Sequence, residues 1–236
     1  MSETVSFRRE ESILNPAWVN HLIPVYRDGL LNDTIPFWMN HAVDHEYGGF
    51  MFSLGRDGSL LDTDKAMWLH GRFIWMLSTL YASVEKKPEW LDLARHGIDF
   101  IRRYGFDTDG KMFFQLTREG QPLRRRRYIF TEAFGVIAFA EYALASGEDR
   151  ARQEAEDLFQ YILKLIGTPG LIPPKSTRQG RAFAVPMILI ATGQILRQVA
   201  SRPDEVTRVI DACIDEVNRY FMKEDLQAVL ETVGPN

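Results

Sequence analysis

Four residues of this chain have the types and the spacing of a carbohydrate-binding wall. Lys65, Trp68, Arg72 and Trp75 follow one another at intervals of three and four residues, which places side chains on one face of an α-helix. Two indoles and two cations are unusual for a helix face in a protein core. The spacing therefore indicates a sugar-binding wall. Three alternatives remain open: ordinary core for the tryptophans, a buried ion pair for the arginine, and a solvated charge for the lysine.

Helical periodicity recurs along the chain and predicts the elements that must position this wall. Prolines 24 and 36 leave open whether the first element is one long helix or two shorter ones. Loops at 44–62 and 106–127 carry aromatic strand-like segments next to Gly turns, and a Pro-rich loop covers 167–180. The predicted helices are 16–40, 65–84, 89–104, 129–146, 149–166, 181–200 and 204–222. Because helix pairs and loops alternate regularly, the pattern predicts stacked helical hairpins, either as a solenoid or as a closed toroid.

The composition is that of an ordinary globular protein. The chain has 236 residues, of which 45% are apolar and 25% charged, and no shift in composition marks a boundary, so residues 1–236 are predicted to form a single domain. A net charge of −4 argues against a nucleic-acid partner. No apolar stretch is long enough for a membrane span, and the polar N-terminus lacks the apolar core of a signal peptide. The single cysteine, Cys213, suits a cytoplasmic location.

Neither a metal nor a cofactor is expected from the motifs of this sequence. The five histidines and the single cysteine do not form a zinc-ligand pattern, and no Gly-rich phosphate loop is visible. The run of four arginines at 124–127 is expected to be a solvated face.

Several motifs together resemble the N-acylglucosamine 2-epimerase family, which also contains cellobiose 2-epimerases and mannose-type aldose–ketose isomerases. They occur in the family's order and extend from about residue 30 to residue 234. They are FWMNHAVDHEYGGF at 37–50, DG at 57–58, KxxWLxGRxxWM at 65–76, FxExF at 130–134 and PMIL at 186–189. The resemblance implies an all-α (α/α)6 toroid, of which this chain holds about seven of twelve helices, with the sugar in a central cavity and short β-hairpins in the loops.

The resemblance also implies an isomerase that moves the C2 proton of a small sugar through an ene-diolate-like intermediate. Arg72 matches the catalytic arginine of the family, where a guanidinium would stabilise the oxyanion. Trp68, Trp75, Phe130 and Lys65 are then expected to bind the substrate. A second wall is expected at 130–134, where Glu132 would hold sugar hydroxyls or fix Arg72 in place. A buried structural ion pair of Glu132 is the alternative.

The histidines of this chain do not match those on which the family's proton transfer relies. Those histidines, with an accompanying glutamate, lie in the C-terminal half of family members, whereas this chain has His21, His41, His45, His70 and His96. His70 is two residues from Arg72, so their side chains should point to different helix faces. Either the chain is truncated at its C-terminus, which we favour, or it has diverged and lost the chemistry; in both cases we expect it to be inactive by itself. Such a chain should expose apolar edges at its first and last helices and form a homo-oligomer.

Two functions follow as expectations from these observations. The first is a sugar epimerase or isomerase, present here as its N-terminal part. The alternative is a non-catalytic helical-repeat module that binds a carbohydrate or a protein.

Overall fold

The computed structural model describes residues 16–126, 128–172 and 180–234, and most of them are helical. Three π-helical segments, Pro24–Asp28, Leu30–Thr34 and Val217–Phe221, extend neighbouring helices. The α-helices are α1 (Pro16–Ile23), α2 (Ile35–His41), α3 (Met67–Ser83), α4 (Pro88–Tyr104), α5 (Phe130–Ser146), α6 (Asp149–Gly167), α7 (Ala184–Leu196) and α8 (Pro203–Glu216).

Three helical hairpins form two layers. Helix α4 packs on α3, α6 on α5, and α8 on α7, while α3 packs on α5 and α5 on α7. Helices α5 and α7 contain few charged residues, and most of α5 is buried. Helices α4, α6 and α8 bury one apolar face and carry charged residues elsewhere, as expected of an outer layer. The predicted repeat of helical hairpins is confirmed.

Gly71 allows α3 and α5 to approach each other closely. A Cβ atom at this position would lie 2.5 Å from the carbonyl oxygen of Phe134, which is far inside van der Waals contact. Because glycine has no side chain, the two helix backbones can meet here. This contact brings Arg72, the next residue of α3, beside Phe134 of α5.

Short antiparallel strands occupy the loops between the helices. Strands β1 (Ser53–Leu54) and β2 (Leu60–Asp62) pair within the first loop, as the Gly turns predicted. A three-stranded sheet joins β3 (Lys65–Ala66), β4 (Gln115–Leu116) and β5 (Pro122–Arg124), with Lys65 opposite Leu116. Near the C-terminus, β6 (Arg181–Ala182) pairs with β9 (Thr232–Val233), and β7 (Met222–Lys223) pairs with β8 (Ala228–Val229).

Strand pairing explains why two of the predicted helix starts were wrong. The helix predicted to start at residue 65 begins at Met67, because Lys65 and Ala66 pair with β4. The helix predicted for 181–200 begins at Ala184, because Arg181 and Ala182 pair with β9. Strand pairing uses the same backbone groups that a helix would need. Residues 173–179 of the predicted Pro-rich loop lie outside the described residues.

The segment with the two prolines stays helical from residue 16 to residue 41. Pro24 starts a π-helical segment, and Pro36 lies in the first turn of α2. Proline lacks an N–H group, and its ring clashes with the carbonyl four residues earlier in a regular α-helix. A locally changed, π-helical hydrogen-bond pattern lets the helix continue without a break.

One apolar core connects the elements from Ile35 to Cys213. It contains the inward faces of all three hairpins, so the two layers are held together by burial of apolar surface. Among the described helices, none combines the length and the apolar character needed to cross a bilayer.

Candidate functional site

The guanidinium of Arg72 lies between two aromatic rings. Its Cζ atom is 5.4 Å from the ring centroid of Trp68 and 5.0 Å from that of Phe134. Arg72 is exposed, and within the described ranges no carboxylate pairs with it. The expected alternative, a buried ion pair, is therefore not what the structure shows. Cation–π contacts hold the group in place and leave its N–H donors free for a ligand.

The aromatic residues around Arg72 differ in part from the predicted set. Trp75 is 39% exposed on the same helix, so it is not a core residue, but it makes no ring contact with the guanidinium within the described chain. Phe130 is half-buried at the start of α5. Phe134 replaces Trp75 as the second ring against Arg72. The FxExF motif at 130–134 predicts an aromatic wall that includes Phe134, but not the contact of Phe134 with Arg72.

Lys65 is separated from this stripe and has no exposed surface. Its ammonium group donates to Asp44 Oδ2 at 2.9 Å and to the carbonyl oxygens of Gly48 and Arg118, both at 2.6 Å. An ammonium group has three protons, so none remains for a sugar. We therefore do not include Lys65 among the residues proposed to bind substrate.

Asp44 is the centre of the cluster that holds Lys65. It accepts hydrogen bonds from Lys65, from Arg118 at 3.0 and 3.1 Å, and from the backbone N–H groups of Glu46 and Tyr47. Burial alone would raise the pKa of Asp44, but the hydrogen bonds from Arg118, Lys65 and the two amides hold this pKa well below its usual range. The carboxylate therefore fastens two loops to the strand that leads into α3.

His70 supports the same loop and cannot serve as a base. Its Nε2 atom accepts the N–H of Phe50 at 2.9 Å, and its Nδ1 atom is 3.0 Å from the carbonyl oxygen of Ala66, which makes Nδ1 the protonated nitrogen. The ring is buried and stacks on Phe100. Burial lowers the pKa of His70 to about 3. The expectation that it points away from Arg72 is consistent with these contacts.

Glu132 is buried and pairs with Lys111. Its Oε1 atom accepts hydrogen bonds from Lys111 Nζ at 3.1 Å and from the N–H of Met112 at 3.0 Å. Burial raises the pKa of Glu132, and the charge of Lys111 opposes the shift. The prediction that Glu132 fixes Arg72 is wrong, because its carboxylate faces the 111–112 loop. The alternative, a structural ion pair, is observed.

The two buried ion pairs have a common effect on the aromatic site. Asp44–Lys65 fixes the entry to α3, and Glu132–Lys111 fixes the first turn of α5. Trp68 lies in the first turn of α3, and Phe134 lies one turn after Phe130. Rotamers of binding residues are most defined when their supporting elements are rigid. The site can therefore present a fixed guanidinium over an aromatic surface, an arrangement suited to a neutral ligand on which a negatively charged oxygen develops.

Comparison with known proteins places this geometry in one family. The family model of N-acylglucosamine 2-epimerase (GlcNAc 2-epimerase) matches residues 48–172, a range that contains Trp68, Arg72 and Phe134. The N-acylglucosamine 2-epimerase of Mus musculus is 35% identical over 219 residues, which cover 86% of this chain and 51% of the mouse protein. The cellobiose 2-epimerase of Ruminococcus albus is 34% identical over 146 residues, covering 61% and 37% of the two chains.

A solved structure shares the helical architecture. The sugar epimerase from a ruminal bacterium superposes with a TM-score of 0.78 at 23% identity, covering 91% of this chain and 59% of that chain. The fold is thus that of part of an (α/α)6 toroid, as the resemblance implied. This chain spans about half the length of the curated N-acylglucosamine 2-epimerases that it matches. On these matches, the chain belongs to the N-acylglucosamine 2-epimerase family.

Proposed function

We propose that this chain binds and polarises an open-chain sugar for 2-epimerisation or aldose–ketose isomerisation. The observation that carries the proposal is the guanidinium of Arg72, which is exposed, held between Trp68 and Phe134, and without a carboxylate partner in the described part of the chain. Trp75 and Phe130 extend the aromatic surface on which a sugar ring or chain could pack. The names of the relatives agree with this class of reaction.

Arg72 has a defined task in such a reaction. A base removes the C2 proton of the open-chain sugar, and the electron pair moves onto the carbonyl oxygen to give an ene-diolate. The proton then returns to the opposite face of C2, which gives the epimer, or to C1 while the hydroxyl proton of O2 moves to O1, which gives the ketose isomer. The guanidinium N–H groups donate to the charged oxygen and lower the barrier; a single such donor contributes about 3–4 kcal/mol. In the described residues, no histidine is in hydrogen-bond or ring contact with Arg72.

Solvent deuterium exchange tests the proposed reaction. The gene product that carries this chain is incubated in D2O with N-acetylmannosamine, mannose or cellobiose, and deuterium at C2 is followed by NMR. We expect exchange with at least one of the three sugars. Saturable binding without exchange would favour the alternative, a non-catalytic sugar-binding module. The absence of both binding and exchange would overturn both functions for these sugars.

Exposed apolar side chains support the proposal that the chain self-associates. On the N-terminal helical segment, Trp18, Val25 and Tyr26 are 55%, 58% and 71% exposed. Near the other end of the chain, Leu226 and Val229 are 60% and 50% exposed. Such patches promote association, so we expect residues 1–236 to form a homo-oligomer. Sedimentation velocity at high concentration checks this, and a single monomeric species would contradict it.

A cytoplasmic location is part of the same proposal. Cys213 is the chain's single cysteine, and it is buried as a free thiol, which suits a reducing compartment. Fractionation of source cells tests the location, and recovery of the protein from the culture medium would refute it.

A further inference from the structure

A second concave site lies away from Arg72, at the C-terminal end of the outer helix α6. It is a groove of about 510 Å³ between α6, the 109–111 turn and the segment that leads into α5. Its volume is in the range of sites for small ligands. Neither Arg72 nor the aromatic residues that surround it line this groove, so it is separate from the proposed sugar site.

Four cationic side chains line the groove, and two of them are already neutralised. Arg125 pairs with Asp107 and Asp109, of which Asp109 also lines the groove. Lys111 pairs with Glu132 at 3.1 Å. These two cations face three carboxylates, so that side of the groove carries about one excess negative charge.

The other two cations, Arg126 and Lys164, form no ion pair with any carboxylate of the described residues. Arg126 lies over the ring of Phe114, with its Cζ atom 4.6 Å from the ring centroid. This contact limits the orientations of the guanidinium without using its N–H donors. Among the described residues, the groove therefore presents two unpaired cations, and with the excess negative charge of the ion pairs its net charge is about +1.

Tyr161 adds a neutral hydrogen-bond donor to the lining of the groove. It lines the groove and is half-buried. Burial raises the pKa of Tyr161, as does the negative charge of Asp109 and Glu132. The phenol therefore stays protonated at neutral pH and can donate a hydrogen bond to an acceptor oxygen.

The remaining wall of the groove is apolar. It consists of Leu165 in the last turn of α6, together with Leu171 and Ile172. Leu171 is 49% exposed, so this wall is open to a ligand. A ligand that fits both walls has a charged end and a compact apolar end.

We propose that this groove binds a phosphate monoester with a compact apolar group, whose phosphate contacts Arg126, Lys164 and Tyr161 and whose apolar group packs on Leu165, Leu171 and Ile172. A phosphate monoester carries about −1.5 to −2 charges at neutral pH, so its oxygens can pair with both of the unpaired cations, Arg126 and Lys164. Its oxygens can accept charge-assisted hydrogen bonds from several directions, whereas a carboxylate carries only one charge. The proposal does not depend on the sugar-isomerising function.

Isothermal titration of the gene product that carries this chain tests the site with phenyl phosphate, inorganic phosphate and benzoate. We expect saturable binding that is tightest for phenyl phosphate. Arg126→Gln and Lys164→Gln should each weaken the binding of phenyl phosphate about tenfold or more, because each removes a charge-assisted hydrogen bond. Leu165→Ala should weaken phenyl phosphate more than inorganic phosphate. Thermal melting of each variant establishes that it is folded.

Matched variants at residues outside the groove show whether the loss of phenyl phosphate binding is specific to the groove. Arg208→Gln makes the same change of charge at an exposed residue of α8 and should leave binding unchanged. Arg72→Gln removes the cation of the sugar site and should also leave it unchanged. The proposal is overturned if phenyl phosphate does not bind, if Arg72→Gln abolishes binding while Arg126→Gln does not, or if benzoate binds as tightly as phenyl phosphate.

Discussion

Arg72→Ala is expected to lower turnover about 10²–10³-fold without unfolding the protein, because it removes a preorganised donor to the charged oxygen of the intermediate. The loss should appear in the turnover number and not only in the Michaelis constant, since the ene-diolate carries more negative charge than the substrate. The side chain is exposed, so its removal opens no core cavity. Deuterium exchange at C2, measured with the sugar that the wild-type gene product accepts, gives the rate.

Arg103→Ala is the matched control for this substitution. Arg103 is exposed on α4, and its Cζ atom lies 5.0 Å from the ring centroid of Tyr104, so it makes a cation–π contact of similar length to one ring outside the proposed site. We expect this variant to exchange deuterium at the wild-type rate and both variants to melt close to the wild-type temperature. Equal loss of exchange in the two variants, or none in Arg72→Ala, would show that Arg72 is not the oxyanion donor.

Asp44→Asn is expected to lower the free energy of unfolding by about 3–5 kcal/mol, because it leaves the charge of Lys65 buried without its carboxylate. Both side chains of the pair are 0% exposed, so water cannot replace the lost partner. Urea denaturation measures the change. Asp92→Asn is the matched control, because Asp92 pairs with Arg95 in solvent, and loss of a surface pair costs at most about 1 kcal/mol. Equal losses in the two variants would contradict the prediction.

The stability of the wild type should depend on pH through the same carboxylate. Because folding lowers the pKa of Asp44, its contribution is complete above the unfolded pKa of about 3.9 and is lost as the pH falls through the folded pKa. Asp44→Asn should lack this acid-sensitive part of the stability. Burial lowers the pKa of Lys65, although Asp44 opposes the shift. The variant should therefore gain stability as the pH rises and Lys65 releases its proton.

A double variant separates charge burial from loss of packing. In Asp44→Asn/Lys65→Met the uncompensated ammonium is gone, so part of the lost stability should return. A double variant as unstable as the sum of both single variants would mean that the ion pair has no energetic coupling.

Local periodicity was sufficient to predict the helices and the face on which Trp68 and Arg72 lie. Both features depend on residues within one or two helical turns, where the spacing of residues alone determines the face to which their side chains point. The Gly turns before β1 and β4 could be predicted from the sequence for the same reason. The start of α3 was misplaced by two residues, because the strand that takes Lys65 out of the helix pairs with Leu116, about fifty positions away.

Contacts between distant segments decided the composition of the site. Phe134 meets Arg72 because Gly71 lets α3 and α5 touch, and no spacing within either helix reveals this. For Glu132 the sequence left open a sugar contact, a contact with Arg72 or a buried ion pair, and the structure shows the pair with Lys111. Lys65 was expected to bind sugar but is enclosed with Asp44. A buried charge needs a partner of opposite sign, and which partner it finds depends on how the loops pack.

The sequence by itself determined the helical class, the family and the presence of an arginine with aromatic neighbours, because these are properties of residue type and short spacing. Only the tertiary structure decided which of the charged residues are free to act. Arg72 and Lys65 differ little as charges in the sequence, yet packing leaves the first exposed between two rings and surrounds the second with acceptors. Burial sets the energetic cost of a charge, and burial is a property of the folded chain.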